Sequence, residues 1–302
     1  MTSLTLFGAT GFVGSAIAAE ARLHDHEVSS PSAPRLTYDG DLSGTPRPDT
    51  HDPDIERWLE AAVRGSDAVV NAAGIADASA PTSPQLIGAN AYWPLLLARA
   101  CARARVPRLI HISSAAVQGR TTLDETMRSA PFSPYSASKA LGERWVASVP
   151  GIEVCTLRPT SVHGPERSVS RSVGRLAASR LSSVAGGGVR HTPQVQVRTV
   201  AMSVEFLATF PGKLPPVVLT PDERLTTAEF LHLIGGRPPK TIPESVARVL
   251  VRLARVSGMA HPAMSANARR LELLWFGQPR TPGWLDTIPH LVAPRSNWEG
   301  RA

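Results

Sequence analysis

Tyr135 and Lys139 stand four positions apart in the string SPYSASKALGE, a spacing that brings both side chains to one face of a helix. A phenol alone, with an ordinary pKa of about 10, is a poor acid–base group at neutral pH. A neighbouring ammonium favours the phenolate and moves that pKa toward the working range. Such a pair suits proton transfer to or from a carbonyl oxygen while hydride moves at the carbon. Only 3 tyrosines and 3 lysines occur in the chain, which sharpens the signal. Ser113 and Ser114 follow the run RLIHI. At the carboxyl edge of a parallel sheet, where ligands bind, a serine hydroxyl can bond the same oxygen as the phenol.

A second group of residues suits a pyrophosphate. Gly8, Gly11 and Gly14 punctuate the string GATGFVG, with Thr10, Phe12 and Val13 between them. Glycines here allow a tight turn, a close backbone approach to the anion, and close helix–strand packing. The amides and partial positive charge of the following helix N-terminus complete the cradle. A carboxylate closing the second strand would select NAD. This chain instead offers hydroxyls and one guanidinium, Ser32 and Arg35 among them, which suit a 2′-phosphate. NADP is therefore favoured over NAD, against the alternative that Arg35 is a solvated loop residue. Asp41 and Leu42 suit the adenine edge, and Asp41 suits a turn equally well.

The elements that must position these groups alternate along the first half. Strands are expected at Ser3–Phe7, 26–30, 67–71, Arg108–Ile112 and 152–157. Helices are expected at Phe12–Leu23, Pro53–Val63, 86–105 and 135–148, with a long irregular connection at 31–52. Strands alternating with helices of this length predict an α/β, Rossmann-type doubly wound parallel sheet. Beyond Pro159 the rhythm changes. The run 182–188 (SSVAGGG) reads as a mobile loop, Val217–Leu219 as one more strand, and 226–234 and 244–256 as helices. The expected division is a dinucleotide-binding domain over 1–160 and a mainly substrate-binding lobe over 161–302.

Composition agrees with a soluble globular chain. It has 302 residues, 42% of them hydrophobic and 19% charged, and no apolar run approaches the roughly 18 residues of a membrane span. The first residues lack the basic start of a signal peptide, so a cytoplasmic location is expected. Two cysteines, Cys101 and Cys155, are too few for a disulfide framework or a thiolate metal cage; no metal ligand set is expected. Residues 1–150 carry 13 basic against 15 acidic side chains, and residues 151–302 carry 19 against 10. The basic excess thus belongs to the second half, where it fits either a solvated surface or an anionic small-molecule ligand. No basic run is interleaved with aromatics, so nucleic acid is not an expected partner. A homodimer is compatible with all of this.

Taken together these residues resemble the extended short-chain dehydrogenases/reductases, the NAD(P)-dependent epimerase/dehydratase family. The likeness is carried by GATGFVG at 8–14, DAVVNAAG at 67–74, Asn90, LIHISSAAVQG at 109–119, SPYSASKALGE at 133–143 and LRPTSVHGP at 157–165. It implies a catalytic trio of Ser114, Tyr135 and Lys139, with Ser114 preferred to Ser113 by its distance from Gly119. It also implies that Lys139 bonds the nicotinamide ribose, and that Ala72, Ala73, Gly74, Asn90 and Pro159 belong to the dinucleotide site.

Departures from the family pattern narrow the chemistry. Dehydratases of the family carry Asp-Glu directly after the catalytic Ser or Thr, whereas Ala115-Ala116 follow here, so no dehydratase is expected. His163 stands where many nucleotide-sugar members have tyrosine; it is a candidate substrate contact along with Ser113, against the favoured alternative of a packed loop histidine. The arginine that clamps a sugar nucleotide's pyrophosphate is missing in register, leaving Arg190 and Arg198 as replacements. The segment 239–253 resembles an apolar helix of 3β-hydroxysteroid dehydrogenase-like members. The leading expectation is an oxidoreductase that interconverts a secondary alcohol and a ketone on a sugar-nucleotide-like or secondary-metabolite substrate. The alternatives are an epimerase with retained NAD, a 3β-hydroxysteroid dehydrogenase-like enzyme on an apolar substrate, and a non-catalytic dinucleotide sensor.

Overall fold

In the computed structural model, which describes residues 1–42, 48–49, 52–258 and 262–292, the chain alternates strand and helix from its first residues. β1 (Ser3–Phe7) leads through the glycine turn into α1 (Phe12–Leu23) and β2 (Glu27–Ser29). α2 (Pro53–Val63) starts where Asp52 accepts from the Ile55 amide and Pro53 fills the first turn, the arrangement that satisfies orphan helix amides. β3 (Ala68–Asn71) is buried at all four positions. α3 (Pro84–Ile87) then runs through a π-helical turn (Gly88–Tyr92) into α4 (Trp93–Arg103). β4 (Arg108–Ile112), α5 (Pro134–Ala147) and β5 (Glu153–Arg158) complete the alternating part.

Six strands form one parallel sheet in the order β2-β1-β3-β4-β5-β9, where β9 is Val217–Leu219. Alternate residues of the central strands face opposite layers, as strand geometry requires. Phe7, Val69 and Leu109 pack against Leu59 of α2, Leu96 of α4 and Leu141 of α5. Leu6, Val70 and Ile110 pack on the other face against Ile17 of α1 and against Val204 and Leu207 of α7 (Val197–Thr209). Each such aliphatic side chain contributes about 1.5–3 kcal/mol on burial.

The lobe beyond Arg158 uses short elements. β6 (Ser161–His163) pairs with β8 (Gln194–Gln196), and β7 (Ser183–Ala185) with β10 (Lys240–Ile242). Between and after them run α6 (Ser168–Ala178), α8 (Thr227–Gly235), α9 (Glu244–Gly258) and α10 (Pro262–Phe276). α8 carries a reciprocal cap, Thr226 with Glu229.

Three sequence expectations are corrected. The helix at 86–105 begins at Pro84, capped by Ser83, and is interrupted by the π turn. The run 182–188 is not a loose loop but β7 followed by a short 3-10 turn, because its partner β10 lies more than fifty residues later. Helices α6, α7 and α10 were not expected. The division at residue 160 is also crossed, since β9 and α7 both belong to the main sheet and its layers. Among the described residues, no helix is long and apolar enough to cross a membrane.

Candidate active site

The strand order turns back on itself between β1 and β3, and a crevice opens outside the carboxyl ends of the strands at such a point. Gly8 sits there at φ +86°, and a Cβ on it would come within 2.6 Å of the Ala72 carbonyl carbon and the Ala73 nitrogen. A Cβ on Gly14 would lie 2.0 Å from the Gly8 carbonyl oxygen. Both positions therefore demand glycine, and the turn is drawn tight by the Gly11 amide donating to the Gly8 carbonyl at 3.0 Å. α1 begins with no side-chain cap and no acidic residue in its first turn. Its first amides lack intrahelical partners, so they present donors and a partial positive charge to the crevice. Gly14→Val is expected to abolish measurable dinucleotide binding in a titration followed by NADPH fluorescence. Retained affinity would show that the loop does not hold the cofactor.

α5 carries the candidate reacting groups. Its start is fixed by Pro134 in the first turn and by the reciprocal Ser133–Ser136 cap. Tyr135 stands in that first turn and Lys139 one turn later. Ser114 stands close enough to the Tyr135 phenol to favour its charged form, and its Oγ accepts from the Ala116 amide at 3.2 Å. Burial pushes the Tyr135 pKa above the ordinary phenol value, while Ser114 and the Arg167 guanidinium oppose it. Lys139 is 5% exposed, and its Nζ donates to the Ile112 carbonyl at 3.1 Å. Burial lowers its pKa to about 8, against a smaller opposing effect of Glu143. The buried Ser113 hydroxyl has no partner among the described residues.

Behind these groups lies a polar scaffold of which the sequence singled out only Asn90. Asn71 Oδ1 accepts from the Ala73 amide at 3.2 Å and from Trp93 Nε1 at 3.0 Å, and Asn71 Nδ2 lies 3.2 Å from His111 Nδ1. Burial pushes the His111 pKa down to about 3, so the ring is neutral and Asn71 donates to it. Asn90, on the π turn, accepts from the Ile75 amide and donates to the Ile75 carbonyl and Ser138 Oγ. It ties the loop after β3 to the catalytic helix.

A cleft of about 370 Å³ runs from the glycine turn to the C-terminal lobe. Gly11, Phe12, Val13, Ala72, Gly74 and Pro159 line its cofactor end, and Ser113, Ser114, Tyr135, Lys139 and His163 line its middle. His163 is buried and its Nε2 lies 2.8 Å from Gln194 Oε1, with its pKa lowered to about 4 by burial. Gly8 and Gly14 shape the turn from behind, Thr10 is exposed at its tip, and Ala73 and Asn90 act on the wall from the back. Ser32 and Arg35 are exposed beyond β2, Asp41 is exposed, and Leu42 packs on the core beneath.

Arg190 and Arg198 are not brought into this cleft. Arg190 donates to Glu244 at 2.8 Å and lies over the Phe276 ring. Arg198 begins α7 on the far layer of the sheet, 3.7 Å from Glu20. The arginines that do line the cleft are Arg167, Arg269 and Arg270. Register against family motifs could not find them, because two of the three come from α10.

A family model described as "NAD dependent epimerase/dehydratase family" matches residues 4–198. A dTDP-glucose 4,6-dehydratase from Streptomyces niveus is 31% identical over 115 residues, 35% of this chain and 34% of that protein. The 3 beta-hydroxysteroid dehydrogenase type 7 of Mus musculus is 29% identical over 154 residues, 44% of this chain and 42% of that one. This chain thus spans well under half the length of both relatives. Among solved structures, MoeE5 in complex with UDP-glucuronic acid and NAD shares the fold, with a TM-score of 0.58 and 21% identity over 80% of this chain and 85% of that one.

Proposed function

The chain belongs to the NAD dependent epimerase/dehydratase family, and from that premise we propose that it is a nicotinamide-dinucleotide-dependent oxidoreductase interconverting a secondary alcohol and a ketone. The observation that carries the reading is that Ser114, Tyr135 and Lys139, the last two one helical turn apart, line the same cleft as the glycine turn. The residues present fit such a cofactor, since the turn that Gly8 and Gly14 allow to close tightly brings the uncapped start of α1, Gly11 to Val13, to the cleft. In the bound state the dinucleotide supplies or takes up the hydride. The first amides of α1 would hold its pyrophosphate, and Ala72, Gly74 and Pro159 would flank it. Ser32 and Arg35 favour a 2′-phosphate, hence NADP before NAD.

Tyr135 holds the proton that the carbonyl oxygen needs in the reductive direction, at its phenolic oxygen. Ser114 fixes that oxygen by a second hydrogen bond. Lys139, with a pKa of about 8, gains and loses its proton near the working pH and is placed to hold a ribose hydroxyl. No carboxyl follows Ser114, since Ala115 and Ala116 do; an elimination of water would lack its acid there. The family and the known ligands of MoeE5 favour a sugar-nucleotide-like substrate.

A second reading is an epimerase that oxidises and re-reduces its substrate on one retained dinucleotide. Heating protein purified without additives decides between them. An empty site with net consumption of NADPH is the expected result; stoichiometric NAD released without net consumption would make the epimerase the correct reading.

A further inference from the structure

Buried arginines elsewhere in this protein are answered by carboxylates. Arg158 pairs with Glu143, and Arg280 pairs with Asp222 and Asp286. The cleft departs from that rule. Of its three guanidiniums, Arg269 is fully engaged by Glu272 at 3.1 Å, the Gly119 carbonyl at 2.9 Å and Gln278 at 2.6 Å. Arg167 and Arg270 form no ion pair among the described residues.

Arg167 leaves β6 toward α6, is half-buried, and donates to the Val162 carbonyl. Its guanidinium carbon lies 5.7 Å from the centre of the Phe12 ring, which fixes it over the cofactor end of the cleft. Arg270 projects from α10, with one donor on Asn267 at 2.9 Å. The two charges repel each other: Arg270, after burial, works to lower the Arg167 pKa. The carboxylate that responds to Arg270 is Asp77, which is exposed and accepts from its own neighbour, the Ser79 amide, at 2.8 Å. Tyr135, His163 and Lys139, the other titratable groups lining this stretch, bring no negative charge: the phenol and imidazole are neutral and the amine is cationic or neutral. Two like charges lining one partly desolvated cleft are unfavourable until an anion answers them.

We propose that Arg167 and Arg270 form an oxyanion subsite, which takes a phosphate or carboxylate group of the substrate and bridges it between the Tyr135 side of the cleft and α10. The inference rests on the cleft being the substrate site, as proposed above. It moves the anion clamp from Arg190 and Arg198, which the fold holds elsewhere, to two residues that lie 103 positions apart in the chain. A guanidinium suits this task because its planar fork meets two oxygens at once.

The test is a titration of inorganic pyrophosphate and of malonate, at low ionic strength, into NADP⁺-saturated protein. The variants Arg167→Gln and Arg270→Gln are compared with the parent, and Arg175→Gln, exposed on α6, controls for lost surface charge. At least one anion should bind the parent, about tenfold or more weaker in each cleft variant and unchanged in Arg175→Gln. Tighter pyrophosphate assigns the subsite to phosphate groups, and tighter malonate assigns it to a carboxylate. No binding to the parent, or equal affinity in all four proteins, overturns the subsite. NADP⁺ affinity is measured first and separately. Its absence would count against the proposed function, while the same anion comparison on cofactor-free protein would still decide the subsite, because the glycine turn is common to every variant.

Discussion

Tyr135→Phe is expected to lower kcat by about 10²–10⁴-fold while leaving dinucleotide affinity unchanged. The substitution removes one oxygen from a ring that otherwise keeps its place in the first turn of α5. What disappears is the proton at the atom that Ser114 also approaches. Ser114→Ala should act in the same direction and add little to the Tyr135 variant, since the two hydroxyls serve one substrate oxygen. Steady-state turnover beside NADPH binding checks both claims. Normal turnover by the phenylalanine variant would mean that the proton comes from elsewhere.

A comparably large effect, on stability, is expected one turn beyond Lys139. Glu143 and Arg158 are 2% and 0% exposed and meet in two parallel bonds, Nε to Oε1 at 3.0 Å and Nη2 to Oε2 at 2.6 Å. The third arm of Arg158 donates to the Thr126 carbonyl at 2.7 Å. Removing one charge leaves the other buried and unanswered, so Glu143→Gln should cost about 3–5 kcal/mol of unfolding free energy. Replacing both partners by leucine should cost less than either single change, because no lone charge remains to be desolvated. Urea unfolding of Glu143→Gln, of Arg158→Leu and of the double leucine variant measures this. A single variant within a few tenths of a kcal/mol of the parent would show that the pair does not clamp α5 to β5.

Much of the site was legible because its chemistry is local in sequence. Gly8, Gly11 and Gly14 share one turn, Tyr135 and Lys139 share one helix face, and Ser114 follows its strand directly. In each case a few neighbouring residues fix the geometry, and the proposed chemical role follows from their types. Legibility failed where the fold joins distant segments. β7 and β10 are three residues each, too short for any period, and form only because they find one another. Arg167 and Arg270 belong to no local motif, whereas Arg190 lies close to the register of the clamping arginine, yet it and Arg198 point to other partners. Asn71 is likewise just the last letter of a strand until Trp93 and His111 are folded against it.

The completion of the main sheet by β9, with α7 packed against α1, bears on how such a protein can change over generations. A chain cut near residue 160 would leave the edge of β5 unpaired and the face of α1 bare, so neither piece is a heritable module that could be fused elsewhere. The stretches that form the far wall of the cleft, around α6 and from α8 to α10, are different. They are inserted between, or appended after, segments the sheet requires. Substitutions can reshape those two outer stretches, and with them the cleft, while α7 and β9 keep the sheet and its layers complete.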